Sequence, residues 1–278
     1  TTEDDHNVRW LDCLLKGGSS SDFQKAPIRI FVMGDNIWRD EWEWPLKRTE
    51  FTPLYLHSAG SANGRAGDGI LGFNLPGGER ADKYSYDPDN PVPTTGGNHS
   101  VGPYNPGLYD ICRVGPYEQT RVEERADVLI YTTAPLEHDT EVTGPVLLKL
   151  FAASSAPDTD WVGRLCDVHP DGRSFNITEG VIRALYQERD WDHPKPIAPG
   201  QIYEYTVDLQ CTSNVFKAGH RIRVQITSSN FPLWARNLNT GESYATGVDF
   251  QVAHQTIHHD KTHPSHILLP IIPRAAGA

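Results

Sequence analysis

The side chains with chemical potential in this sequence are its serines, histidines, aspartates and cysteines, and their spacing decides how far each can be taken. A serine nucleophile needs a Gly-x-Ser-x-Gly elbow between a strand and a helix, which lifts the hydroxyl clear of the backbone. The nearest string is Asn98-His99-Ser100-Val101-Gly102. It lacks the first glycine and runs on into GPYNPG, which cannot start a helix. Of the 12 histidines, His254, His258, His259, His263 and His266 form the densest group. Spacings of four would place two imidazoles on one helical face for a metal, yet no acidic residue stands at metal-site spacing and HPSH reads as a turn into the last strand. Structural or solvated histidines are the expectation. Asp158, Asp160, Asp167 and Asp171 suggest a calcium loop, but their order is not that of an EF-hand, and Asp171 is already used by a turn. No cofactor and no metal are implied. Cys13, Cys112, Cys166 and Cys211 lie far apart with no C-x-x-C pair, so zinc is unsupported. Cys166 and Cys211 fall inside apolar strand patterns and are expected as buried free thiols.

The elements that would position these groups are mostly strands. Residues 6–17, HNVRWLDCLLKG, have helical apolar spacing ended by Gly17. A flexible GGSSSDF segment follows, placing a domain boundary near residues 17–26. The strand PIRIFVM then opens a region of short strands and many turns, including a long Pro/Gly-rich loop from Asp87 to Tyr109. ADVLIYTT, GPVLLKLFAAS, DWVGRLCDVHP, RSFNITEGVIRALYQER, IYEYTVDLQ, RIRVQITSS and HILLPII carry the β-branched and aromatic residues of strands. Pro170-Asp171-Gly172 predicts a hairpin turn between two of them. With 21 Pro and 24 Gly, and no alternation of strands with helices, the fold class is mostly β, a jelly-roll β-sandwich preceded by one helix.

A balance of 25 basic against 36 acidic residues gives a net charge of -11, which opposes binding to nucleic acid or anionic membranes. No apolar run reaches the roughly 20 residues of a membrane span. A soluble chain is expected, with the cytoplasm favoured over export. Trp38, Trp42 and Trp44, within IWRDEWEWPL, admit a sugar-stacking platform, a core or an interface. Core or interface burial is favoured, because tryptophan brings a large apolar area with one polar handle.

The order of motifs from Trp10 to Pro273 resembles the C-terminal region of the cocaine-esterase-like and X-Pro dipeptidyl-peptidase-like serine hydrolases. The stretches that carry the resemblance are VMGDNIWRDEWEWPL, YDPDNPVPTTGG, EVTGPVLLKLFAASSAPDTDW, DVHPDGRSFNITEGVIRALYQE, TSNVFKAGHRIRVQITSSNFPLWARNLNTG and HPSHILLPII. The resemblance implies a jelly roll similar to galactose-binding modules, packed against an α/β-hydrolase catalytic domain that would lie upstream in the same polypeptide. It implies that residues 1–26 are the terminal helix and linker of that catalytic domain and that 27–278 are the C-terminal jelly roll. The catalytic serine, aspartate and histidine of the family precede the helix ending at Gly17. His6 lies closer to Trp10 than the family's catalytic histidine does, so a solvated His6 is expected. By resemblance, Asn98, His99 and Tyr104 line the pocket for a small ester or peptide substrate. Trp38, Trp42, Trp44, Phe231 and Arg236 sit at the domain interface, while Asn230, Asn237 and Asn239 serve loop structure or docking. The chain alone is expected to be inactive. The alternatives are a stand-alone jelly-roll module binding carbohydrate and a noncatalytic partner of a separate hydrolase chain.

Overall fold

The computed structural model describes residues 3–18, 26–98, 114–188, 190, 192–242 and 246–273. Helix α1 spans Glu3–Leu15. Gly17 stops it with a φ of 73°, a left-handed value that glycine adopts without a Cβ clash, and the Gly18 N–H closes on the Cys13 carbonyl at 2.8 Å. Its apolar side chains Val8, Trp10, Leu11 and Leu14 are all exposed.

Strands β1 (Ile28–Val32) and β2 (Ile37–Glu41) form a two-stranded antiparallel ribbon. The sequence reading did not include β2, whose IWRDE has no alternation to announce it. The turn between them makes it possible: Gly34 and Asn36 both take positive φ. Gly34 also lies so close to β10 (Tyr203–Phe216) that a Cβ would collide with the Val215 carbonyl.

The remaining strands are β3 (Glu50–His57), β4 (Ile70–Gly72), β5 (Asp82–Tyr86), β6 (Leu129–Thr132), β7 (Thr140–Ser154), β8 (Asp160–Val168), β9 (Ser174–Arg183), β11 (Arg221–Thr227), β12 (Ala253–His258) and β13 (His266–Ile272). With β10 they make one hydrogen-bonded network in the order β5-β12-β7-β13-β3-β4-β6-β11-β8-β9, β10 lying beside β7. All these pairings are antiparallel except a single β4–β6 contact. Leu148 and Leu150 of β7, Tyr205 and Val207 of β10, Trp161 and Leu165 of β8 and Ile222, Val224 and Ile226 of β11 meet in one core. The mostly β sandwich expected from the sequence is what forms, because alternation along each strand gives it one apolar face.

The outer face of β6 and β11 is covered as well. Val128 and Ile130 join Val92 and Val122 in a second buried group, Val122 coming from the one-turn helix α2 (Thr120–Glu123). The hairpin at Pro170-Asp171-Gly172 forms as predicted: Gly172 has a φ of 87°, and the Arg173 N–H bonds the Asp171 carboxylate at 3.1 Å.

One expectation changes. Cys166 is buried, and burial pushes its thiol far up, but Cys211 is exposed. The reason is a bulge in β10 between Asp208 and Cys211, where Gln210 takes a φ of 66° and the in–out alternation slips by one. The histidine-rich segment forms a strand and a turn: His254 and His258 lie on β12, with β5 on one side and β7 on the other.

Candidate functional site

The loops singled out in the sequence come together. Residues 91–98 run beside 229–233, with Phe231 N–H donating to the Val92 carbonyl at 2.9 Å and Thr94 N–H to the Phe231 carbonyl at 2.7 Å. The Thr94 hydroxyl donates to the Asn230 carbonyl at 3.0 Å, and the Val92 N–H bonds Ser229 Oγ at 2.8 Å. Asn98 reaches Gln210 Oε1 at 3.1 Å. His99, Ser100, Tyr104 and Cys112 lie outside the described residues, and His6 is placed only as a position on α1.

The floor under this loop pair is a buried polar network that sequence reasoning missed. Arg164, only 1% exposed, donates to Glu179 at 2.8 Å, Gln119 at 3.2 Å and Gln225 at 2.9 Å. Glu179 also accepts from Asn230 at 3.0 Å, so Asn230 fixes its loop to the floor by its side chain while its carbonyl holds Thr94 of the facing loop. Gln119 carries the network on to Asn176 and to the Thr95 carbonyl. Gly97 has a φ of 134°, and a Cβ there would press on the Glu179 carboxylate. The signal was present in the sequence: Arg164 sits between Gly163 and Leu165 in an otherwise apolar run. A buried guanidinium needs a carboxylate, and only pairing makes its burial tolerable.

Phe231 is 42% exposed at the tip of this loop. Arg236 donates to the Pro88 carbonyl at 2.7 Å and to Asp89 at 3.2 Å, which braces the following segment. Asn237 donates to both Asp158 and Asp160 at 2.8 Å, and Asn239 exchanges bonds with Gln251. Burial, and then the neighbouring Asp160, push the Asp158 carboxyl up to about 6 despite the Asn237 bond. The four aspartates once grouped as a calcium loop are thus dispersed. Asp158 and Asp160 hold Asn237, Asp171 pairs with Arg173, and Asp167 faces His220.

The second surface is the ribbon. Its inner side combines apolar and charged groups: Val32 is fully buried, Arg39 makes a bidentate pair with Glu141 of β7 at 2.6 and 2.9 Å, and Glu41 accepts from Arg39 at 2.7 Å and from Arg48. Hydrogen bonds from Arg48 and Arg39 outweigh burial and hold the Glu41 carboxyl below its usual range. Its outer side is aromatic. Trp38 is 63% exposed, Trp42 74%, and Phe31 and Trp44 are exposed with them, beside the Arg29–Asp40 ion pair. The tryptophans therefore do not belong to a core. Phe31 meets Trp38 edge-on at 5.3 Å, and the Arg29 guanidinium lies 5.7 Å over the Trp38 ring.

A third group has triad-forming residue types. Ser58 Oγ, His259 and Asp82 lie within 3.2 Å of one another. They make no triad: Asp82 and Ser58 approach the same nitrogen, His259 Nε2, and the serine donates to the aspartate at 2.7 Å. A relay needs the carboxylate on the opposite ring nitrogen. His259 is buried, and burial lowers its proton affinity, but Asp82 and then Glu79 outweigh this and raise it. A short turn brings Asp260 within ligand distance of His258 and His263, an acidic partner the sequence reading had not found.

No helix among the described residues is long and apolar enough to cross a membrane. Comparison with known proteins agrees with the mostly β fold. The chain is 43% identical over 267 residues to the cocaine esterase of Rhodococcus sp. (strain MB1 Bresler), covering 95% of itself and 45% of that protein. A putative serine esterase of Mycobacterium bovis is 31% identical over 242 residues, 80% of this chain and 35% of that one. An aminopeptidase from a marine sediment Thaumarchaeota archaeon superposes with a TM-score of 0.80 at 29% identity, covering 95% of this chain and 43% of that one. An alpha-amino acid ester hydrolase gives 0.76 at 28% identity, covering 88% and 41%. The chain spans less than half the length of these relatives. Residues 21–268 match the model of the X-Pro dipeptidyl-peptidase C-terminal non-catalytic domain, and the chain belongs to that family.

Proposed function

We propose that this chain is the supporting sandwich of an α/β-hydrolase-type serine hydrolase that cleaves acyl esters or X-Pro amides, and that it docks on the catalytic domain through the outer face of the ribbon. The observation that carries this is the exposure of the ribbon's aromatic groups: Phe31, Trp38 and Trp42 face solvent, while Val32, Arg39 and Glu41 on the opposite face are turned into the protein. An exposed apolar surface of this kind marks an interaction site. On this reading, residues 1–26 end the catalytic domain, and the exposed apolar side chains of α1 are covered by it. Residues 27–278 are the jelly roll, of the type shared with galactose-binding modules. The loop pair at 91–98 and 229–233, braced from below by Arg164 and Glu179, walls the acyl pocket with Asn98, His99 and Tyr104.

A stand-alone carbohydrate module fits the ribbon less well. Sugar stacking needs an open ring face, and Arg29 stands over that of Trp38. The test has two arms. The chain alone, given an activated acyl ester, is expected to show no turnover; a serine-dependent burst would overturn the reading. Spliced in place of the C-terminal region of the 43% identical relative, it is expected to support ester hydrolysis. In that chimera Trp38→Ala with Trp42→Ala should shorten the active half-life at least about tenfold, since central aromatic anchors carry 1–2 kcal/mol or more of a docking interface.

A further inference from the structure

Asp167, His169 and His220 are not used by the docking reading, and they occupy positions where the strand pattern calls for apolar groups. Trp161 and Leu165 of β8 lie in the core, so alternation carries Asp167 and then His169 onto the same inner face. On β11 the core residues are Ile222 and Val224, and His220 precedes them by the same step. The β8–β11 ladder pairs Ile222 with Asp167 and Arg221 with Val168, so its next step sets His220 opposite His169. The β8–β9 hairpin turn meets the turn before β11 at this end of the sandwich, where a Cβ on Gly219 would touch Pro170 at 3.7 Å.

The geometry is that of a chelate. Asp167 is 8% exposed, and its two oxygens lie 2.9 and 3.1 Å from His220 Nδ1. Oδ2 is 3.9 Å from His169 Nε2, and one donor atom from each residue falls within 4.8 Å of the others. Tetrahedral Zn²⁺ with ligands at about 2.0–2.2 Å keeps its donor atoms roughly 3.3 Å apart. The observed 2.9 and 3.9 Å separations straddle that value. Among the described residues, the two histidines are the only side-chain partners of this carboxylate, so lone pairs remain on both oxygens. The imidazole ring centroids lie 4.5 Å apart. Phe175 packs on His169 at 4.8 Å and fixes its ring.

We propose that Asp167, His169 and His220 bind one divalent transition-metal cation of the zinc type, which ties the hairpin turn to the turn before β11. One carboxylate and two imidazoles suit such a cation, whereas Ca²⁺ and Mg²⁺ ask for six or more oxygens. His169 is 35% exposed, so water has access to complete the coordination. The other histidine group, His258, Asp260 and His263, is the weaker candidate. Its carboxylate is already occupied by the Thr262 and His263 amides and the Thr262 hydroxyl within a single turn.

The experiment uses the full chain, stripped with a chelator and titrated with ZnCl₂ against a chromophoric competitor, with melting followed in parallel. One equivalent should bind and raise Tm, while CaCl₂ and MgCl₂ at the same concentration should not. Losing an outer-shell partner costs a metal site 10–100-fold, so His169→Ala, which removes a direct ligand, should weaken Zn²⁺ by more than about 100-fold. His169 is the most exposed of the three, so its metal-free Tm should be unchanged. Asp167→Asn should act in the same direction, and His263→Ala should leave binding intact. The proposal is overturned if Zn²⁺ fails to bind, if His169→Ala binds as tightly as the unaltered chain, or if His263→Ala alone abolishes binding.

Discussion

The ribbon and the sandwich place their largest aromatic groups oppositely, Trp38 and Trp42 in solvent and Trp161 in the core. In the sandwich, strands such as β11 turn Ile222, Val224 and Ile226 inward, and their burial drives folding. In the ribbon, the inward side joins the buried Val32 to Arg39 and Glu41, matched by Glu141 and Arg48, and the large aromatic groups Phe31, Trp38 and Trp42 face out. Val32, the ion pairs and the Met33 backbone bonds to Ser213 and Val215 together hold the ribbon in place. A surface arranged this way makes sense when the missing apolar partner is another body. The same residue type, tryptophan, thus stands in two environments in one chain, and substitution separates them.

The largest contrast is expected at Trp161, which is fully buried between the two halves of the core and stacks at 5.5 Å on Tyr205. Trp161→Ala should cost about 3–5 kcal/mol, read from the midpoint of urea unfolding at unchanged slope. A loss under about 1 kcal/mol would mean that the core is not where the stability resides, and the comparison with the ribbon would fail.

Next in size is a difference in the response to acid. At the ribbon, Glu41 and Glu141 are held below the usual carboxylate range by Arg48 and Arg39, whose bonds outweigh burial. Their contribution is therefore present above the unfolded value of 4.5 and is lost as pH falls through the lower folded value. In the sandwich Asp158 runs the other way. Its carboxyl is pushed from 3.8 to about 6, so the folded state favours the protonated form, and stability drains away as pH rises between those values. The stability of Asp158→Asn relative to the unaltered chain should therefore rise by on the order of 2–3 kcal/mol between pH 4 and pH 7. A difference that stays flat across that range would show that Asp158 is not held in this way.

The sequence announced the sandwich and much less of its sites. The β7, β8, β11 and β13 runs were legible because their alternating apolar residues have no other use, and Pro170-Asp171-Gly172 specified its turn locally. β2 was hidden because its partner is chosen by the Gly34–Asn36 turn and by Glu141, over 100 residues away in β7. Cys211 was misplaced because a bulge inverts alternation and leaves no compositional mark. The two loops at the candidate pocket were legible by their length and their Asn, Pro and Gly content. Of the floor that positions them, Arg164 was marked by its place in an apolar run, but its pairing with Glu179 was not, since pairing of buried charges depends on strand neighbours that one sequence does not reveal. Family motifs supplied the order of the parts; only the register of the strands placed Asp167 beside His220.

The smallest expected effect is the most informative about the ribbon. Trp38→Ala in the isolated chain removes a side chain that is already 63% in water and whose contacts are Phe31 and Arg29. Little transfer free energy is lost and no cavity opens, so unfolding should shift by no more than about 0.5 kcal/mol, the usual limit for surface substitutions. A shift of 2 kcal/mol or more would mean that the ribbon's outer face is sealed within this chain and needs no partner. If the shift is near zero here, while the same change in the chimera with the relative's catalytic half shortens its life, the tryptophan contributes only across the junction. That pairing of results assigns the apolar face to docking by free energy rather than by exposure, because one substitution then has two values that differ only by the presence of the second domain.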